Sequence, residues 1–198
     1  MAMQRQVERR LCPPVLFAFL LAVATAAAQS TEAGEAAPAA ACDAVEHHQF
    51  DFWIGEWEVR SPEGELAGHN SIRRIAGSCG LLEDWHGADG SAGMSINAWD
   101  AGRGAWTQRW VGAGSILWIE GKFDGERMTL SGPRRTRRGE VLDRITWTPL
   151  ADGGVRQHWE VSADGGRSWT DLFVGVYFRA EPADGGAHRT GNGRDDDD

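Results

Sequence analysis

The chain has 198 residues, a formal net charge of −9 at neutral pH, 41% hydrophobic residues and ten Trp. That length holds one domain of ordinary size. The acidity argues against nucleic acid or an anionic lipid surface as the main partner, because phosphate binding needs a basic face.

Arg5, Arg9 and Arg10 form a basic n-region, and Val15–Val23 is a short apolar run. Ala26-Ala27-Ala28 then offers a small-x-small cleavage site before Gln29. Residues 1–28 therefore read as an export signal, the apolar run being too short for a comfortable membrane span. Cleavage would remove three Arg and one Glu, taking the formal charge from −9 to −11. It would also leave no integral span and two cysteines, Cys42 and Cys79. Export places these two in an oxidising compartment, which favours a bridge over two free thiols. Their spacing does not make a zinc site.

Residues 29–44 are mostly small and polar and read as a disordered linker, and residues 181–198 as a disordered acidic tail. Residues 45–180 are the folded part. A short turn of helix fits Val45–Phe52, ahead of the first strand. Turn signals recur at Pro62-Glu63-Gly64, Ala88-Asp89-Gly90, Asp100-Ala101-Gly102, Gly112-Ala113-Gly114 and Asp124-Gly125. They continue at Arg138-Gly139, Asp152-Gly153-Gly154 and Asp164-Gly165-Gly166. Gly and Asp accept the left-handed conformations that tight hairpins need. The intervening segments alternate with period two and none has the length of a crossover helix. The fold class predicted is all-β, an antiparallel up-and-down barrel of about ten strands.

Alternation assigns the faces. Trp57 and Val59 share one; Leu81, Glu83 and Trp85 another; then Trp106, Gln108 and Trp110; Ile145 and Trp147; and Val155, Gln157, Trp159 and Val161. These sets read as barrel interior, with Arg109, Arg144, Arg156, His158 and Glu160 outside. Several interior sets mix Trp with Glu or Gln, unlike a purely apolar core. Two readings stand for the Trp residues: core that fills a small barrel, or the wall of an open pocket. Glu83, Gln108 and Gln157 are either polar anchors for a ligand or a self-satisfied network. Around Ile116, Leu117, Trp118, Ile119 and Phe123 both faces are apolar, so the leader or a partner subunit would cover one of them.

Glu46-His-His-Gln49-Phe-Asp-Phe-Trp53-Ile-Gly55-Glu-Trp57-Glu-Val59 resembles the opening of a family of uncharacterised exported bacterial proteins with a lipocalin-like barrel. Cys79-Gly-Leu-Leu-Glu83-Asp-Trp85, Trp106-Thr-Gln-Arg-Trp110-Val and Val155-Arg-Gln157-His-Trp159-Glu160 extend the resemblance over about residues 42–179. It implies the fold and carries no established activity. By analogy of fold, it implies that a small apolar molecule binds inside the barrel. Similar barrels that hold haem open on G-x-W-x-G-x-G; here Glu58, Val59 and Arg60 follow Trp57, which argues against haem.

The expectation is thus a secreted or periplasmic protein that binds a small hydrophobic or aromatic ligand. Glu83, Trp85, Gln108, Trp110, Trp147, Gln157 and Trp159 would line its site, with no cofactor, metal or catalytic residue assigned. His47, His48, His69, His86, His158 and His188 make no ligand pair on one element, although a site could still assemble across strands. One alternative is a hydrolase or isomerase using Glu83, Asp84 and His86, weakened because Ser91 and Ser95 lie in or beyond a glycine-rich turn. Another is an envelope-associated interaction protein with a packed, ligand-free barrel. The sequence leaves the oligomeric state open.

Overall fold

A computed structural model describes residues 42–112 and 114–180. The expected export signal, residues 29–41 of the linker and the acidic tail lie outside the described residues. The strands are β1 (Gly55–Arg60), β2 (Leu66–Ile75), β3 (Gly80–Gly87), β4 (Ala92–Asp100) and β5 (Ala105–Gly112). They continue with β6 (Ser115–Phe123), β7 (Met128–Thr136), β8 (Gly139–Pro149), β9 (Val155–Ser162) and β10 (Thr170–Arg179). Each pairs antiparallel with its sequence neighbour, and β1 pairs with β10. The sheet thus closes into a ten-stranded up-and-down barrel, the architecture that alternation and turn chemistry predict. Closure satisfies the backbone without a free edge along the β1–β10 seam, where Trp57 faces Arg179 and Arg60 faces Val176.

Two short 3-10 turns, Val45–His48 and Asp51–Trp53, precede β1 and stop up one end of the barrel. Phe50 and Trp53 are fully buried there, stacked at 4.9 Å between ring centroids. Phe50 meets Trp147 at 5.2 Å and Trp106 at 5.6 Å, both edge to face. Indole N–H groups lock this plug to the leader backbone. Trp57 Nε1 donates to the Trp53 carbonyl at 2.8 Å, and Trp106 Nε1 to the Glu46 carbonyl at 3.1 Å. Pairing each N–H with a carbonyl lets Trp57 and Trp106 be buried without an unsatisfied donor.

A disulfide, Cys42–Cys79, ties the leader to the turn between β2 and β3 at the same end. Cys42 is buried and bridged, so the last residues assigned to the linker belong to the folded body. Around the plug the inward positions are large and apolar: Ile72, Leu81, Ile119, Met128, Leu130 and Val155 are all buried. No helix among the described residues is long and apolar enough to cross a membrane.

Candidate ligand cavity

The other half of the barrel is hollow. A cavity of about 250 Å³ opens between the ends of β2, β3, β5, β9 and β10, near the lower limit of small-molecule sites. Trp85, Trp110, Trp159 and Phe173 form its walls, Glu83, Gln108, Gln157 and Tyr177 its polar floor, and Asp89, Ser91 and Leu172 contribute to its lining near the mouth.

The hollow has a steric cause. Three of the four aromatic walls lie across an inward-facing glycine. A Cβ on Gly93 would sit 2.1 Å from the Trp110 ring, one on Gly68 2.8 Å from Trp85, and one on Gly175 2.7 Å from Phe173. The missing methyls let the rings lie flat against the sheet instead of crossing the lumen. Trp159 is held differently, its Nε1 donating at 2.8 Å to Asp143, a fully buried carboxylate that Arg134 also clasps with two bonds at 2.8 and 2.9 Å.

Under the walls runs a belt of buried polar side chains. Asn70 Nδ2 donates to Glu83 Oε1 at 2.9 Å and to the Tyr177 hydroxyl at 3.2 Å. Tyr177 in turn donates to Gln157 Oε1. On the other side Ser95 Oγ donates to Glu83 Oε2 at 2.6 Å, Asn97 Nδ2 to Ser95 at 2.8 Å, and Gln108 Nε2 to Asn97 Oδ1 at 2.8 Å. Six strands contribute, and Glu83 stands at the centre. Burial raises its carboxyl to about 7, and the bonds from Ser95 and Asn70 only partly oppose this. Tyr177 is also pushed well above its ordinary value, first by burial and then by the Glu83 charge, so it stays a neutral hydroxyl.

Of the residues expected to bind ligand, Glu83, Trp85, Gln108, Trp110, Gln157 and Trp159 meet around this cavity. Trp147 does not; it packs in the plug against Phe50 and Trp53. Glu83, Asp84 and His86 do not converge either. Alternation on β3 sends Glu83 inward, while Asp84 and His86 pair at 3.3 Å on the outer surface. Ser95, beyond the turn, lies within β4 and faces inward. Its hydroxyl touches Glu83 but is only 1% exposed and does not line the cavity, so Ser95 is not presented to a ligand as a nucleophile.

Asn70, Ser95, Asn97 and Tyr177 are missing from the sequence-derived set. The signal for two of them was an inverted strand: β4 buries Ser95 and Asn97 and exposes Met94 and Ile96. Met94, Ile96, Val111, Ile116 and Trp118, all about half exposed or more, form an apolar face on the outside of β4–β6. On β6 it is thus Leu117 and Ile119 that face the interior; outside, the Arg109 guanidinium of β5 lies over the Trp118 ring, and Ile116 stays exposed.

One histidine does meet two carboxylates across strands β9 and β10. His158, Glu160 and Asp171 place ligand atoms within 4.8 Å of one another on the outer wall. Arg144 already occupies both Glu160 oxygens, at 3.0 and 3.2 Å, and His158 Nε2 is bonded to Asp171 at 2.8 Å. A cation there would have to displace the guanidinium. No protein-family model matches the chain, and no curated protein matches its sequence.

Proposed function

We propose that this is an exported binding protein that holds a small, largely apolar or aromatic molecule in the open half of its barrel. The observation that carries the reading is the division of the interior. One half is packed solid by the plug, while glycines under Trp85, Trp110 and Phe173 keep the other hollow. A barrel that needed only stability would fill both halves with its own side chains. Flat indole walls offer stacking area, and the Glu83 belt offers directional hydrogen bonds at the floor. Export is supported by the basic and apolar pattern of residues 1–28 and by the Cys42–Cys79 bridge, which suits an oxidising compartment. The resemblance to exported lipocalin-like proteins points the same way.

Native mass spectrometry of the purified protein tests the reading directly, since a retained ligand appears as a discrete added mass. Titration with a neutral aromatic such as phenethyl alcohol should shift the Trp emission. A spectrum unmoved by every aromatic tried, with no added mass, would favour a barrel that binds nothing. A second reading, an interaction protein, draws on the apolar outer face of β4–β6. Monomeric behaviour at all concentrations would remove its self-associating form.

A further inference from the structure

The cavity is unevenly charged. Among the described residues its ionisable lining groups are Glu83, Asp89 and Tyr177, and no Arg, Lys or His lines it. The interior guanidinium beside Trp159 belongs to Arg134, which does not line the cavity and is neutralised by its paired bonds to Asp143. An anionic ligand would meet no counter-ion here. The floor is also rich in acceptors. Gln108 spends Nε2 on Asn97 and Ser95, which leaves Oε1 without a partner among the described residues. Glu83 has lone pairs beyond the two that Asn70 and Ser95 fill. Above these oxygens stand three indole rings, whose electron-rich faces attract cations, best of all for Trp.

We propose that the cavity selects an organic cation, a small aromatic or aliphatic primary amine whose ammonium group sits against Glu83 and Gln108 and whose body lies between Trp85, Trp110 and Trp159. This rests on the ligand-binding reading and narrows it to one class. The ammonium supplies N–H donors to the open acceptors of Gln108 and Glu83, whereas the floor's own spare donor, Gln157 Nε2, carries no charge, and it compensates a carboxylate that would otherwise be buried unpaired. Asp89, at the mouth, adds attraction of the same sign. Carboxylates, fatty acids among them, are disfavoured by the same arrangement.

The test compares three ligands of one shape and three charges: phenethylamine, phenethyl alcohol and phenylacetate, titrated calorimetrically into the full mature chain at about pH 8. The ammonium is expected to bind at least ~10-fold more tightly than the alcohol, and phenylacetate more weakly than either. Glu83→Gln should cost the amine ~10-fold or more, and a larger factor than it costs the alcohol; an equal loss for both would overturn the cation. Should that variant fold poorly, the wild-type pH dependence serves instead. Glu83 faces the Tyr177 hydroxyl from β10 and the neutral Asn70, Ser95 and Gln108 from β2, β4 and β5, with Asp89 at the mouth and the Arg134–Asp143 pair outside the lining. With Glu83 raised to about 7, amine affinity should fall ~10-fold between about pH 8 and pH 6 as it takes up a proton. Equal or tighter binding of the alcohol or of phenylacetate would overturn the cation and leave the binding barrel standing. Failure of all three ligands to bind would overturn both.

Discussion

Consider first the effect of Glu83→Gln on stability as a function of pH. The wild-type carboxyl lies at about 7 in the folded barrel against 4.5 for the ordinary group, chiefly through burial. Between those values the native state holds a proton that the unfolded chain releases. The stability contributed by the protonated group is therefore complete below about pH 4.5 and is lost as pH rises through about 7. At about 1.4 kcal/mol per pH unit, the whole displacement is worth about 3 kcal/mol, of which about 2.5 kcal/mol falls between about pH 5 and pH 8. Gln cannot ionise and should show no such slope. Urea unfolding followed by Trp emission, at matched ionic strength, would read the difference as a fall of about 1 M in the wild-type midpoint relative to the variant. Taking the wild-type minus variant difference cancels the other carboxylates, provided they titrate alike in both proteins. A difference that stays constant across the range would refute the placement of Glu83 as a buried, protonatable group.

Serine at both Cys42 and Cys79 should lower stability by up to about 4 kcal/mol on the chain-entropy account for a separation of 37 residues, read as a urea midpoint shift. Arg134→Met leaves Asp143 buried without its guanidinium and should cost about 3–5 kcal/mol. It should also disturb the near-ultraviolet dichroism of Trp159, which hangs from the same carboxylate. Gly93→Ala puts a methyl where the Trp110 ring lies and should drive that ring into the lumen. Stability should fall by only about 1–2 kcal/mol while calorimetric binding of a small aromatic is lost.

The fold was readable because its signals are local. Gly and Asp turns at short intervals set hairpin after hairpin, and alternation around Trp57, Trp106 and Trp147 names the inner face without knowledge of distant strands. The site was readable only where a polar residue sat beside a Trp on that face, as Glu83 does with Trp85 and Gln108 with Trp110. β4 breaks the rule by facing Ser95 and Asn97 inward and Met94 and Ile96 outward. Read alone, such a strand inverts its faces; only its register against Glu83 on β3 and Gln108 on β5 shows which side is interior. Tyr177 and Trp147 illustrate the other limit. Alternation says that Trp147 points inward, but not at what height, and it named no face for Tyr177. Only the three-dimensional packing puts Trp147 beneath Phe50 while Tyr177 reaches the cavity floor.

The plug and the polar belt have to be understood together. A belt of Asn70, Glu83, Ser95, Asn97, Gln108, Gln157 and Tyr177 adds little net stability, since each bond replaces one made to water and a buried carboxyl carries a desolvation cost. A barrel hollow above such a belt would be marginal on its own. The leader offsets this. Phe50 and Trp53 join Trp57, Trp106 and Trp147 in one aromatic cluster, and the disulfide holds the segment there. Hydrophobic packing is concentrated below the belt, where nothing need enter, and the lining above it is left free for recognition. Loosening the plug should therefore weaken ligand binding through the stability of the frame, although every side chain that lines the cavity is unchanged. Changes to the walls should do the reverse and spare the frame.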